Sequence, residues 1–325
     1  MIQTQSPPSA DVASLLRDLG RGSQHQQDLD ADVAQTLFAS MLEGTVPPLE
    51  LGAILLAYRF KGETVAELTG FMAALQGRLA RMQPPDDRPR PIVLPTYNGA
   101  RRLPNLTALL ALLLKRYGVP VLLHGMADQG GTFGRVTTAA VLRELGIEPA
   151  TSVVDADRRL DADGIAYAPI DLLSPALATL LALRGRMGLR SSAHTVAKLV
   201  DPFGGEGVRV VCVSHPEHLT RMHELLVATN ADALLLRGTE GEPFANPRRQ
   251  PRLEWFQRGI ATVLFDAEVG TLATPPELPT AIDAPTTAAW IAAALAGKVP
   301  IPKPILNQLA CCMHATRRLN AEVET

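Results

Sequence analysis

From Pro91 onward the chain repeats one pattern. Short apolar runs, PIVLP, VPVLLHG, GVRVVCVS, DALLLRG and GIATVLF, are separated by stretches of helical periodicity. Strands that recur once per helix return across the sheet through helical crossovers, which predicts a mostly parallel sheet covered by helices. Upstream the pattern differs: residues 11 to about 82 carry helical periodicity and almost no strand signal. DADVAQTLFASMLEG puts Val33, Leu37, Met41 and Leu42 on one face, with Asp30 placed to cap and Gly44 to stop the helix. PPLELGAILLAYRFKG enters on prolines and ends at Gly62, and ETVAELTGFMAALQGRLARM supplies a further helix. The proline-rich MQPPDDRPRP reads as a linker. The stretch SPALATLLALRGRMGLRSSAHTVAKLVDP has no strand signal and reads as helical, packed with the N-terminal helices. The expected organisation is a helical domain of residues 1–82 and 165–200, a linker at 83–90, and an α/β domain of 91–164 and 201–325.

The bulk composition bounds the function. With 325 residues and 46% hydrophobic content, two cores of this kind can be buried. A net charge of −2 gives no whole-protein field that would attract nucleic acid, so any such site has to be a local patch. Cys212, Cys311 and Cys312 form no disulfide framework and fit a reducing compartment. No apolar run reaches the roughly 18 residues of a membrane span, because Lys115 and Arg116 stop the longest leucine stretch. The N-terminal MIQTQSPPSADVASLL lacks the charged-then-apolar pattern of a leader. These features predict a cytoplasmic protein with no membrane partner.

Pro95 to Thr107, PTYNGARRLPNLT, lies between the first predicted strand and the next helix. Such a turn is where α/β proteins hold phosphates, because backbone N–H groups and the helix dipole converge there. It is usually glycine-rich so that the backbone approaches the ligand. This one has a single glycine, two arginines, a tyrosine and two prolines. The pattern alone leaves open whether it grips a phosphorylated small molecule.

Several segments, in order along the chain, resemble the anthranilate phosphoribosyltransferase group of glycosyl transferase family 3. They are FKGETVAELTGFMAAL, the Asn105-Leu106-Thr107 triplet, VPVLLHG, VLRELGI, LRGRMGLRSSAHTVAKLVDP and LLLRGTEGEP. The resemblance implies a nucleoside phosphorylase/phosphoribosyltransferase-like α/β fold. Such a fold has a small discontinuous helical domain, a larger α/β domain, dimerisation through the helices and an active site in the interdomain cleft. It also implies where the chain departs from its family. The glycine-rich diphosphate loop falls on Thr96-Tyr97-Asn98-Gly99-Ala100, without its close-approach glycines or its carboxylate. The Lys-His-Gly-Asn motif becomes Leu123-His124-Gly125-Met126. The adjacent acidic pair that holds magnesium corresponds to Glu240-Gly241-Glu242, where the adjacency is lost. Arg184 matches the arginine that contacts anthranilate. Phosphoribosyl transfer needs metal and backbone donors to stabilise the departing pyrophosphate, so these losses imply a poor diphosphate grip. Thr96, Asn98, Gly99, Asn105, Thr107, His124 and Gly125 are then a vestigial donor site. No catalytic residue and no cofactor are expected, with magnesium entering only if the enzyme reading holds, through Glu240 and Glu242 as weak ligands.

GTEGEP, FANPRRQP and RSSAHTVAKL further resemble the YbiB-type branch of TrpD-like proteins, which implies nucleic-acid binding, DNA or RNA, in place of a small-molecule substrate. Charge placement is independent of that resemblance. No carboxylate lies between Asp171 and Asp201, where Arg184, Arg186, Arg190 and Lys198 all fall. Arg186 and Arg190 share a helical face if the helix runs through Gly188. Arg248, Arg249, Arg252 and Arg258 form a second cluster offset by Glu254, and Arg101, Arg102, Lys115 and Arg116 a third. Such patches bind polyanions through phosphates, with Tyr97, Phe244 and Trp255 the nearest candidates for base stacking. The alternatives are a homodimeric nucleic-acid-binding protein, or a phosphoribosyltransferase with altered donor recognition through Arg101 and Arg102. A solvated face explains a basic run equally simply, and Arg184 equally suits a structural ion pair. Asn105 and Thr107 either cap a helix or keep a donor-site role. Glu240 and Glu242 read as loop residues or weak metal ligands. His124 reads as scaffold or ligand contact, and His215, His218 and His223 as structural. Gly130, Gly131 and Gly134 belong to a mobile loop or bind an anion beside Arg135.

Overall fold

The computed structural model describes residues 14, 16, 28–127, 134–270 and 274–317, so Gly130 and Gly131 lie outside the described residues. The chain divides into two compact units, one comprising the residues up to Leu79 together with Ser174–Ala197, the other Ala80–Leu173 with the residues from Lys198 onward. Among the described residues no helix is long and apolar enough to cross a membrane.

The first unit is helical. Helix α1 (Ala31–Glu43) starts where the Asp30 side chain accepts the Val33 N–H at 2.8 Å and ends at Gly44, in a left-handed conformation with φ 70°. Helix α2 (Pro48–Lys61) enters on prolines, and α3 (Val65–Gln76) packs closely against α1. A Cβ on Gly70 would lie 2.2 Å from the Ala31 carbonyl oxygen, so only glycine permits that approach. Phe38 and Phe71 stack at 4.6 Å, with the Tyr58 ring edge-on to Phe71. Helices α8 (Pro175–Ala182), α9 (Arg184–Met187) and α10 (Ser192–Ala197) complete this unit, α8 against α1 and α10 against α2 and α3.

The second unit holds a seven-stranded sheet of order β3-β2-β1-β4-β5-β6-β7. Along the chain it runs β1 (Ile92–Thr96), α4 (Thr107–Arg116), β2 (Val121–Gly125), α5 (Thr138–Glu144), α6 (Val153–Asp163), β3 (Ile165–Pro169), α7 (Ile170–Leu173), β4 (Val208–Val213), α11 (Glu217–Ala228) and β5 (Ala233–Arg237). Then come β6 (Leu253–Gln257), β7 (Ile260–Phe265), α12 (Ala284–Leu295) and α13 (Lys303–Ala315). The strands from β3 to β5 pair in parallel, as the alternating pattern predicts, while β6 and β7 are antiparallel. The chain steps outward from β1 through β2 to β3, then returns to β4 on the other side of β1. That reversal makes the C-terminal ends of β1 and β4 a topological switch point, the place where open α/β sheets bind ligands.

Three expectations are corrected. Residues 165–173 are not helical-domain sequence: Ile165–Pro169 is strand β3, wholly buried and paired with β2, its signal hidden by alanines and a proline in place of β-branched residues. LEWFQ forms β6, and GIATVLF pairs with it across a two-residue turn, not through a helical crossover. Arg258 and Gly259, at φ 51° and 75°, give that hairpin turn the left-handed backbone its twist requires. The helix bearing Arg186 does not reach Arg190, because Gly188 turns left-handed (φ 69°) and returns its N–H to Arg184 O, ending α9 at Met187.

The FKGETVAEL segment has a physical explanation. Thr64 and Glu67 form a reciprocal capping box at the start of α3. The Glu67 carboxylate, fully buried, also accepts from Leu29 N (3.0 Å), Tyr58 Oη (3.3 Å) and Lys61 Nζ (2.8 Å). Burial, followed by the Glu67 charge, pushes the Tyr58 phenol well above its ordinary range. Removing Glu67 leaves Leu29 N and Tyr58 Oη without this acceptor and Lys61, among the described residues, with only the exposed Asp28 carboxylate, 2.7 Å away, so Glu67→Ala is expected to destabilise the protein by about 3–5 kcal/mol. Equilibrium denaturation checks this.

Candidate functional site

The turn leaving β1 carries most of the predicted vestigial donor residues, and the structure turns them inward. Thr96 is buried, its hydroxyl donating to His124 O at 3.1 Å. Tyr97 is buried, with its hydroxyl 2.7 Å from His124 Nδ1. Gly125 lets the β1 and β2 backbones meet, since a Cβ there would lie 2.2 Å from Thr96 O. Asn105 and Thr107 are also fully buried. The Asn105 side chain accepts the Thr107 N–H at 3.2 Å and donates to Val136 O (3.2 Å) and Thr138 Oγ1 (3.1 Å). Asn105 therefore braces the start of α4 in the manner of a cap.

The decisive geometry comes from the connection after β5. Thr239 to Glu242 fold back in a tight turn, with Glu240 at φ 53° and Gly241 at φ 86°. Gly241 admits no side chain, because a Cβ would sit 1.8 Å from Asn98 Nδ2. This turn delivers two carboxylates to the backbone after β1. Glu242, fully buried, accepts from Asn98 N (2.7 Å) and Gly99 N (2.8 Å) through Oε1, and from the Thr138 hydroxyl (2.8 Å) through Oε2. Glu240 Oε1 accepts from Arg102 N (2.8 Å), Leu103 N (3.0 Å) and Arg101 N (3.2 Å). The remaining donor, Ala100 N, bonds Val136 O at 2.9 Å. Every backbone N–H from Asn98 to Leu103 is thus taken by the protein itself.

Two cations hold this arrangement. Arg135 Nη1 donates to Gly99 O at 2.9 Å and lies 3.6 Å from Glu240 Oε2. Lys198 Nζ donates to Gly241 O (3.1 Å) and Cys212 O (3.2 Å), bracing the turn from behind. Lys198, expected among the phosphate-binding cations, is thereby committed to main-chain carbonyls. Glu240 and Glu242 do not fit a magnesium site. That ion takes oxygen ligands in octahedral geometry, whereas these carboxylates point into backbone N–H groups and a hydroxyl. Among the described residues no cluster of three or more His, Cys, Asp or Glu side chains could hold a metal.

The remaining expected residues are dispersed. In the α/β unit Arg101, Arg102, Lys115, Arg116, Arg248, Arg249 and Arg258 are exposed, with no ion pair among the described residues. Arg252 is paired with Glu254 at 2.6 Å. In the helical unit Arg186 is exposed, whereas Arg184 and Arg190 are half-buried and engaged. The three aromatics expected to stack bases are all in the core: Tyr97, Phe244 and Trp255 are no more than 7% exposed. Sequence reading missed the roles of Thr138 and Arg135 as partners of Glu242 and Glu240. Only the acidic spacing of TEGE could have pointed to them. His215 and His218 are exposed, and His223 lies 3.5 Å from Glu254.

His124 supplies the pH dependence of this region. Its Nε2 is buried with no hydrogen-bond partner, and desolvation lowers its pKa from 6.5 to about 3. The folded protein holds the ring neutral, while the unfolded chain protonates it near its ordinary pKa. Its stabilising contribution is therefore complete above about pH 6.5 and is lost progressively as pH falls toward the folded-state value. Between pH 7 and pH 5 the loss is about 2 kcal/mol. Denaturation at both pH values, compared with His124→Phe, is expected to show a shallower pH dependence in the variant.

The helical region, residues 13–78, matches the family model described as glycosyl transferase family, helical bundle domain. The chain is 43% identical to the uncharacterized protein YbiB of Escherichia coli K12 over 307 residues, 94% of each chain. It is 29% identical to an anthranilate phosphoribosyltransferase of Methylocella silvestris over 53% of this chain and 48% of that protein, so it spans about half of that relative's length. In fold it is similar to the crystal structure of the Thermus thermophilus anthranilate phosphoribosyltransferase TrpD, with a TM-score of 0.71, 20% identity, and coverage of 94% of this chain and 87% of that one. The discontinuous helical unit, the parallel sheet with its switch point at β1, and a relative matched along almost its whole length agree with one another. The chain belongs to the TrpD-like proteins of glycosyl transferase family 3.

Proposed function

We propose that this protein is a catalytically degenerate member of its family that binds nucleic acid, DNA or RNA, through backbone phosphates, as a cytoplasmic homodimer. One observation carries the reading: all six backbone N–H groups from Asn98 to Leu103 are bonded internally. Transfer of a phosphoribosyl group depends on donors aimed at the leaving diphosphate, each contributing a few kcal/mol in the transition state. Here those donors face the protein's own carboxylates. A magnesium ion, the other means of stabilising that charge, finds no suitable oxygen set at Glu240 and Glu242.

The same turn leaves the Arg101 and Arg102 side chains in solvent, and Lys115 and Arg116 at the far end of α4 are also exposed. Arg248, Arg249 and Arg258 add cations to the same unit. Arginines bound to phosphates displace counterions, which predicts steep salt dependence and little sequence reading. Burial of the three candidate stacking aromatics supports backbone contacts over base contacts. For the homodimer, Leu49, Leu56 and Phe60 recur at i, i+7 and i+11 on one face of α2, and Leu49 and Phe60 are 81% and 79% exposed. A second copy would cover that apolar stripe.

Fluorescence anisotropy with a DNA or RNA oligonucleotide across a salt series tests the binding. Arg101→Glu/Arg102→Glu is expected to weaken binding about tenfold or more and to lower the salt slope by about 2. Unchanged affinity and slope would discard these two residues as phosphate contacts. Light scattering is expected to give twice the chain mass for the wild type and the monomer mass for Phe60→Asp. A wild-type monomer would remove the dimer.

A further inference from the structure

The two carboxylates in the β1 turn are held differently. Glu242 is fully buried and shares its oxygens between two N–H groups and a hydroxyl. The Glu240 side chain keeps 15% of its surface in solvent. Its backbone sits at φ 53°, a left-handed conformation that a glutamate adopts only when its surroundings hold it there. What it gains are the consecutive N–H groups of Arg101, Arg102 and Leu103, with the Arg135 guanidinium 3.6 Å away. Three converging backbone N–H groups beside a guanidinium are the donor set that recognises a phosphate-class anion. The flanking Arg101 and Arg102 are exposed and the Glu240 side chain is partly so, which puts this donor set at the solvent boundary.

We propose that Glu240 is an internal anion seated in a phosphate-binding nest, and that displacing its carboxylate opens the nest to a phosphate-class ligand. The Thr239–Glu242 turn is then an autoinhibitory element. Lys198 and Asn98 fix its backbone, through Gly241 O and Glu240 O, while the Glu240 side chain is the part that yields. The ligand is either a free phosphate or diphosphate, or a phosphodiester of the nucleic acid in the proposed function. The nest itself does not depend on that function, because a small inorganic anion probes it directly.

The test uses the full-length chain and inorganic pyrophosphate in calorimetry at fixed ionic strength. Glu240→Gly suits the left-handed backbone and removes the occupant, and Glu240→Gln keeps the side-chain length without its charge. Glu240→Gly is expected to bind pyrophosphate at least about tenfold more tightly than the wild type, with Glu240→Gln between them, and Arg135→Ala in the glycine background to reverse the gain by about tenfold. Thermal unfolding reports whether each variant is folded. Folded glycine and glutamine variants that bind no better than the wild type would overturn the proposal, as would a gain indifferent to Arg135. A parallel titration uses an oligonucleotide without terminal phosphates. A gain for both ligands assigns the nest to phosphodiesters, and a gain for pyrophosphate alone assigns it to free phosphates. Loss of oligonucleotide binding in Arg101→Glu/Arg102→Glu judges the nucleic-acid reading separately.

Discussion

Two glutamates bonded to one turn of backbone organise the C-terminal end of the parallel strands. A buried or partly buried N–H without an acceptor costs on the order of 1–3 kcal/mol, and of the six N–H groups from Asn98 to Leu103 those of Asn98, Gly99, Ala100 and Leu103 are of that kind. In a phosphate-binding protein the ligand satisfies such groups. Here Glu240 and Glu242 take five and Val136 O takes the sixth. The bonds join three segments distant in sequence: the turn after β1, the connection after β5, and residues 135–138 at the start of α5. Gly99 and Gly241 make the approach possible, both left-handed and both placed where a Cβ would strike a neighbour.

This closure is a feature of the site and not of the fold. The sheet order, the switch point at β1 and the discontinuous helical unit are those of a TrpD-like protein, and none of them depends on catalysis. The site is what differs. Five of the six N–H groups of its first turn are bonded to internal carboxylates, the buried His124 is held neutral by desolvation and bonded to Tyr97, and Lys198 is tied to carbonyls. Cationic side chains are left on the outside of the same turn.

Local sequence made much of the architecture legible. The recurrence of IVL, VLL, VRVVCV and LLL runs once per helix specified parallel strands, because each pattern is complete within a few residues. Asp30, Gly44 and Gly62 marked helix ends through cap chemistry that is equally local. IAYAP and LEWFQ, by contrast, lack a β-branched run and owe their conformation to the neighbours they pair with. Gly188 was ambiguous for a similar reason: a lone glycine is tolerated inside a helix, and only the left-handed backbone seen here ends it.

At the site the division is sharper. The sequence by itself determined that the β1 turn is short of glycine, that two arginines follow its one glycine closely, and that Glu240 and Glu242 flank a single glycine. Only the tertiary structure decided where those glutamates go. The bonds from the turn to Glu240 and Glu242 span 137 to 144 residues, a separation at which periodicity and spacing carry no information. They exist because β5 lies beside β4 and β4 beside β1, which brings the end of one connection onto the start of another. The same strand order buried Tyr97, Phe244 and Trp255. Exposure of a side chain is a property of the packed sheet, whereas its chemistry is a property of the chain.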